Sequence, residues 1–125
     1  MRLAGMCLAL AMALAGCAAM GSRLQTSAAD LDRHSQRFYE DIRDNGTDRE
    51  SVRNAQDLAA AADEFHRAVD HGTPRENLDD EFDRVARHYH DLRERYDHTG
   101  NRVEREHFAD VTTAYLEVEG ALKYR

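Results

Sequence analysis

Apolar residues recur every three or four positions along four successive stretches of this chain, and no other sequence feature constrains the fold as strongly. This spacing places the apolar side chains on one face of an α-helix, whereas a half-buried strand would alternate with period two. The positions on this face are Leu24, Ala28, Leu31, Ser35, Phe38 and Ile42; Ala55, Leu58, Ala62, Phe65 and Val69; Leu78, Phe82, Val85, Tyr89, Leu92 and Tyr96; and Phe108, Val111, Tyr115, Val118 and Leu122. We therefore predict four amphipathic helices that share one core.

Short polar segments that contain glycine separate the four stretches. Glycine readily adopts the left-handed backbone that ends a helix, and Thr or Asn with Glu three residues later caps a helix start. The predicted ends are Asn45-Gly46, Gly72 and Gly100; the predicted starts are Thr47 with Glu50, Thr73 with Glu76 around Pro74 at the first helical position, and Asn101 with Glu104. With connections of about three or four residues, residues 27–125 are predicted to form an all-α, up-down-up-down four-helix bundle. A helical hairpin that dimerises into a bundle would satisfy the same spacing.

The beginning of the chain has a different character. Arg2 precedes an uncharged apolar run that continues to Gly16. This run is shorter than the roughly 20 residues needed to cross a bilayer, and a positive start followed by a short apolar run is typical of a secretory signal. We predict that residues 1–16 are a signal peptide.

The end of this run, Leu14-Ala15-Gly16-Cys17, resembles the lipobox of bacterial lipoproteins. The resemblance covers the signal segment alone, and it implies cleavage before Cys17, a diacylglycerol thioether on its sulfur and acylation of the new amino group, for example with palmitate. Residues 17–26 would then be the lipidated cysteine and a short tether. Ala18, in place of an Asp after the cysteine, resembles the outer-membrane sorting pattern, so the expected location is the periplasmic face of the outer membrane. The alternative is an ordinary cleaved signal with an unmodified Cys17.

Charge and cysteine content exclude several classes of function. The chain has 17 basic and 24 acidic residues, and loss of Arg2 with the signal leaves 16 against 24, a net charge of −8. Nucleic-acid binding requires a basic surface, so no nucleic-acid partner is expected. Cys7 leaves with the signal and Cys17 carries lipid, so the mature domain has no thiol for a disulfide or a metal. The expected partners are membrane lipid through Cys17 and another envelope protein through an acidic helical face, with the domain a monomer or a weak homo-oligomer.

No pattern typical of catalysis or of a bound cofactor occurs in the mature chain. The sequence contains no HExxH and no CxxCH, it has a single Glu-x-x-His (Glu104 to His107) where di-iron bundles use two, and its serines lie outside any Gly-rich elbow. Met20 and His107 would lie at opposite ends of the bundle, which disfavours haem. We therefore expect neither an enzyme nor a cofactor. The alternative function is a bundle that binds a metal or a small ligand, and its candidate metal ligands, on three different helices, are His34, His88, His90 and His107.

Three tyrosines fall on the core face of the predicted helices: Tyr89, Tyr96 and Tyr115. The simpler interpretation is that their rings pack against the small residues of Ala59–Ala62, with each hydroxyl reaching the rim. The other interpretation is a small cavity for an apolar or aromatic ligand, in which a tyrosine hydroxyl is the polar contact. The function predicted from the sequence is a lipid-anchored structural or protein-interaction module.

Overall fold

The computed structural model describes the backbone of residues 2–45, 48–96 and 102–123, and the side chains of residues 23–45, 48–96 and 102–123. These residues form four helices: α1 (Arg2–Asn45), α2 (Arg49–Asp70), α3 (Arg75–Tyr96) and α4 (Arg102–Lys123). α1 packs against α2 and α4, and α2 packs against α3. Of the four neighbouring pairs of helices, α3 and α4 have the backbones that approach each other least closely. The predicted all-α four-helix bundle is confirmed. Within the described residues, no helix combines the length and apolar character needed to cross a bilayer.

Every residue predicted to lie on a core face is buried, from Leu24 in α1 to Leu122 in α4. The core side chains of α1 and α2 include small residues such as Ala28, Ser35 and Ala62, whereas α3 and α4 contribute most of the aromatic rings. The three-four spacing therefore predicted the buried face of each helix correctly, because one apolar stripe per helix leaves a single way to form a common core.

The turn between α2 and α3 forms at the predicted glycine. Gly72 has a φ of 69°, in the left-handed region. The amide of Thr73 donates to the Ala68 carbonyl, and the amide of Gly72 donates to the Val69 carbonyl, both at 3.1 Å. This pair of bonds is the Schellman motif, which satisfies carbonyls that the end of a helix leaves without partners. A residue with a Cβ at Gly72 would be strained because of this backbone conformation.

The two described helix starts differ from their predicted positions by one residue. Asp48 caps α2, because its carboxylate accepts from the Glu50 amide at 3.1 Å. Pro74 lies directly before α3 rather than at its first position, and its carbonyl accepts from the Leu78 amide. The predictions at Gly46, Thr47, Gly100 and Asn101 lie outside the described residues.

The segment predicted to be a tether, residues 17–26, is helical in backbone and belongs to α1. Leu24 is 6% exposed and Ser27 is also buried. Leu24 keeps the four-residue spacing to Ala28, and the segment contains no proline to interrupt the helix. The buried face of α1 therefore includes Leu24, as its spacing to Ala28 predicted.

The buried hydroxyl of Ser35 yields a test of the packing. Ser35 is fully buried, and its Oγ has no hydrogen-bond partner. Since an unsatisfied buried hydroxyl is unfavourable, Ser35→Ala is expected to raise the free energy of unfolding by about 1 kcal/mol. The measurement is urea denaturation followed by circular dichroism.

Ser51→Ala is the matched control, because Ser51 is also a buried helical serine but donates to Asp48 Oδ2 at 3.3 Å. Both substitutions replace a buried helical serine by alanine, so their difference mainly reports the hydrogen bond that only Ser51 loses. A Ser35→Ala variant no more stable than Ser51→Ala would show that Ser35 is not a source of instability.

Candidate functional site

Five aromatic rings form a continuous stack between α3 and α4, which we call the ring column. In order along the bundle the rings are Phe82, Tyr115, Tyr89, Phe108 and Tyr96, so that they alternate between the two helices. Successive centroids lie 5.2, 4.0, 5.6 and 5.6 Å apart, with interplanar angles of 20°, 13°, 15° and 27°. All five residues are buried. Each such pair contributes about 0.5–1.5 kcal/mol beyond its buried area, so the ring column is a major contact between these helices.

The sequence spacing explains why the rings alternate. Phe82, Tyr89 and Tyr96 are seven residues apart on α3, and Phe108 and Tyr115 are seven apart on α4. Seven residues are close to two helical turns, so each set lies in one row along its helix. Because the two helices are antiparallel neighbours, the rows interleave ring by ring.

The hydroxyls of Tyr89 and Tyr115 have side-chain partners on α4. Tyr89 donates to Thr112 Oγ1 at 3.1 Å, and Tyr115 donates to the Glu119 carboxylate at 3.5 Å. Burial raises the pKa of Tyr115 to about 12, and the Glu119 carboxylate acts in the same direction. Burial also raises the pKa of Tyr96, with a further contribution from the Glu104 carboxylate. Within the ring column these tyrosines pack on one another and on phenylalanines.

A groove of about 640 Å³ lies beside the ring column, between the C-terminal half of α3 and the N-terminal half of α4. We call it the α3–α4 groove. The residues that line it are Tyr89, Arg93, Tyr96, Arg105, Phe108, Ala109, Thr112, Thr113 and Leu116. Its charged residues are the two arginines, whereas the chain as a whole has a net charge of −7. Leu116, on its wall, is 54% exposed.

A second, smaller depression of about 390 Å³ lies farther along the same two helices. It contains acidic as well as basic side chains, among them Asp79, Asp83 and Glu119. Tyr89 and Tyr115, the closest pair of the ring column, lie between the two depressions. The space between α3 and α4 therefore has one end whose charged residues are arginines and another of mixed charge.

The histidines make separate contacts rather than one cluster. His107 Nε2 lies 3.0 Å from Asp41 Oδ2, a close contact without the alignment of a hydrogen bond. The His90 ring meets Tyr115 edge-on, with centroids 6.0 Å apart. Among the described side chains, no group of three or more His, Cys, Asp or Glu residues could hold a metal ion, and this includes the candidates His34 and His88. Cys17 lies outside the described side chains.

Two histidine contacts join α1 to its neighbouring helices. His66 of α2 lies 2.9 Å from Asp32 of α1 through Nδ1 and 3.3 Å from Asp70 through Nε2. Together with His107 and Asp41, this contact connects α1 to both of its neighbours. These histidines therefore support the packing of α1.

The sequence placed all five residues of the ring column on core faces, but it predicted neither their stacking nor a groove lined by Arg93 and Arg105. The seven-residue spacing of the aromatic residues was the available signal. Arg95, which does not line the groove, pairs with Asp48 and Glu50.

The raised pKa of Tyr115 predicts how stability depends on alkaline pH. An unfolded tyrosine has a pKa of about 10, so between about pH 10 and 12 the unfolded chain loses a proton that the folded chain keeps. The free energy of unfolding is therefore expected to fall as pH rises through this interval, and to be unaffected by Tyr115 below it. Denaturation midpoints across the interval, together with tyrosinate absorbance, would measure this effect.

Tyr115→Phe should weaken this pH dependence and remove the absorbance step near pH 12. Tyr39→Phe, a change outside the ring column, should leave that step in place. Ionisation of Tyr115 well below pH 12 in the folded protein would contradict the burial seen here.

Comparisons with models of protein families, with curated proteins and with solved structures found no match for this chain. Its function is therefore inferred from its own residues.

Proposed function

We propose that this protein is a lipid-anchored lipoprotein of the bacterial envelope and that its acidic helical bundle is a non-catalytic interaction module. The observation that carries the proposal is the lipobox-like segment Leu14-Ala15-Gly16-Cys17, which follows a short apolar run. Two or three acyl chains on one cysteine anchor a protein stably, because each buried CH₂ contributes about 0.8 kcal/mol.

The length of chain between Cys17 and the core supports a close attachment. Leu24, the first described core residue, lies seven residues after Cys17. Seven residues of helix span about 10 Å. A lipid on Cys17 would therefore hold the bundle near the membrane, with the N-terminal end of its first helix toward the lipid.

The contacts of the serines favour binding over catalysis. Ser51 donates to the capping Asp48, and Ser35 is fully buried in the core. Neither serine is hydrogen-bonded to a histidine that would act as its base, as nucleophilic catalysis requires. No metal-binding group occurs among the described side chains, and this leaves the metal-binding alternative without a supporting observation.

The first turns of α3 provide the acidic face expected of the module. Glu76, Asp79, Asp80 and Asp83 are all exposed. Arg84, the next basic residue, is engaged by Glu64 of α2 at 2.9 Å. Exposed carboxylates of one sign favour a partner with a basic surface, through steering and complementarity.

Substitution of the lipobox cysteine tests the anchor. Cys17→Ser, expressed in a bacterial host, is expected to accumulate as an unprocessed precursor without acyl mass, because both lipid transfer and cleavage require the cysteine thiol. The measurement is intact mass of the membrane-fraction protein. Cys7→Ser is the control, since Cys7 would leave with the signal, and it should be processed and acylated normally. A soluble, normally cleaved Cys17→Ser product would contradict the proposal.

Neutralisation of the acidic face tests the partner. A triple variant, Asp79→Asn with Asp80→Asn and Asp83→Asn, is expected to lose an envelope protein that crosslinks to the lipidated wild-type chain in intact cells. The control is Glu106→Gln with Asp110→Asn and Glu117→Gln, which removes the same charge from the exposed surface of α4. Equal loss of the crosslinked protein in both variants would contradict a specific role of the acidic face, because net charge alone would then explain the loss. If the wild-type chain crosslinks to no envelope protein, the interaction role is contradicted.

A further inference from the structure

The α3–α4 groove is of the size that binds small molecules. Its volume of about 640 Å³ lies within the roughly 300–1,000 Å³ typical of ligand pockets. The groove exists because the stacked rings hold the backbones of α3 and α4 farther apart than those of the other neighbouring helices. The groove is therefore a consequence of how the core packs, and the ring column forms one of its sides.

The lining has an apolar part and a polar part. Phe108, Ala109 and Leu116 provide apolar surface, and Leu116 is exposed beside buried rings. Thr112 Oγ1 accepts from Tyr89, and its own hydrogen has no acceptor among the described residues. A hydroxyl donor beside an apolar surface favours a ligand with an oxygen at one end and a hydrocarbon body.

The charge of the lining determines the sign of the ligand. Arg93 and Arg105 are the charged residues of the groove. Within the described part of the chain, Arg105 has no ion-pair partner, whereas Arg102, one turn earlier, pairs with Glu106 at 3.1 Å. A guanidinium presents a fork of donors that matches a carboxylate, so Arg105 is suited to bind a carboxylate of the ligand.

The neighbouring depression, with three carboxylates against two basic side chains, disfavours a ligand with a second negative charge. Beyond the Tyr89–Tyr115 pair, the lining includes Asp79, Asp83 and Glu119. A second anionic group that reached this far would meet carboxylates, and the net charge of −7 disfavours polyanions in general. A ligand whose anionic group lies at Arg105 and whose apolar body extends toward Leu116 matches both the charge and the apolar surface of the groove.

From these contacts we propose that the α3–α4 groove binds a small amphipathic monocarboxylate, with its carboxylate at Arg105 and Thr112 and its hydrocarbon body against Phe108 and Leu116. The proposal goes beyond the interaction role and does not depend on the lipid anchor.

The test uses the full chain in detergent micelles and 1-naphthoate as the probe, with binding followed by protein-observed NMR. We expect saturable shifts of the Tyr89 and Phe108 ring signals and of the Thr112 amide. Arg105→Gln should weaken binding by about tenfold or more, as expected for the loss of a charge-assisted hydrogen bond. Leu116→Gln should also weaken binding, through loss of the apolar wall.

Arg102→Gln is the matched control, because it removes the same charge from the same helix outside the groove, and its affinity should equal that of wild type. The cationic analogue 1-naphthylmethylamine should give no saturable shifts, and circular dichroism would establish that each variant is folded. Equal binding of the amine, or naphthoate affinity unchanged in Arg105→Gln, would overturn the proposal. So would displacement of naphthoate by an acidic helical peptide of much higher affinity, which would assign the groove to a protein partner.

Discussion

The stacking of rings between α3 and α4 determines the shape of this bundle. Where α1 meets its neighbours, small residues such as Ala28 and Ser35 are available in the core, and the backbones approach closely. Between α3 and α4 the same space is filled by five rings that alternate from one helix to the other. Side-chain volume at an interface sets the distance between helix axes. The wide interface and its groove therefore follow from the choice of aromatic residues.

The sequence predicted the four-helix bundle and the buried face of each helix, because one apolar stripe per helix and short connections leave few arrangements of the helices. Every predicted core position, from Leu24 to Leu122, is buried, and the described helix starts differ by a single residue. At α2 the cap is the Asp48 carboxylate. The helical residues before position 27 include Leu24, whose burial fits its four-residue spacing to Ala28.

The α3–α4 groove was less predictable from the sequence, because its charge depends on which side chains already form ion pairs elsewhere. Arg105 lies between two glutamates in sequence, which indicates a paired surface arginine. In the folded chain Glu104 is turned inward, with 3% exposure, and Glu106 is held by Arg102. The helix thus leaves Arg105 beside the groove, although its local composition predicts a neutralised charge. Whether Arg105 lies beside the groove depends on how α4 is oriented about its own axis, and composition does not specify that orientation.

The position of the groove along the bundle bears on how a ligand would reach it. The groove lies toward the end of α3 and the start of α4, whereas the start of α3 and the end of α4 are joined by the bond from Arg75 to the Leu122 carbonyl. In an up-down-up-down bundle, this second end is the one shared with the first core residue of α1, Leu24. A lipid on Cys17 would hold that end at the membrane, and a 22-residue helix spans about 33 Å. The groove would then lie toward the far end, where a ligand enters from the aqueous phase rather than from the bilayer.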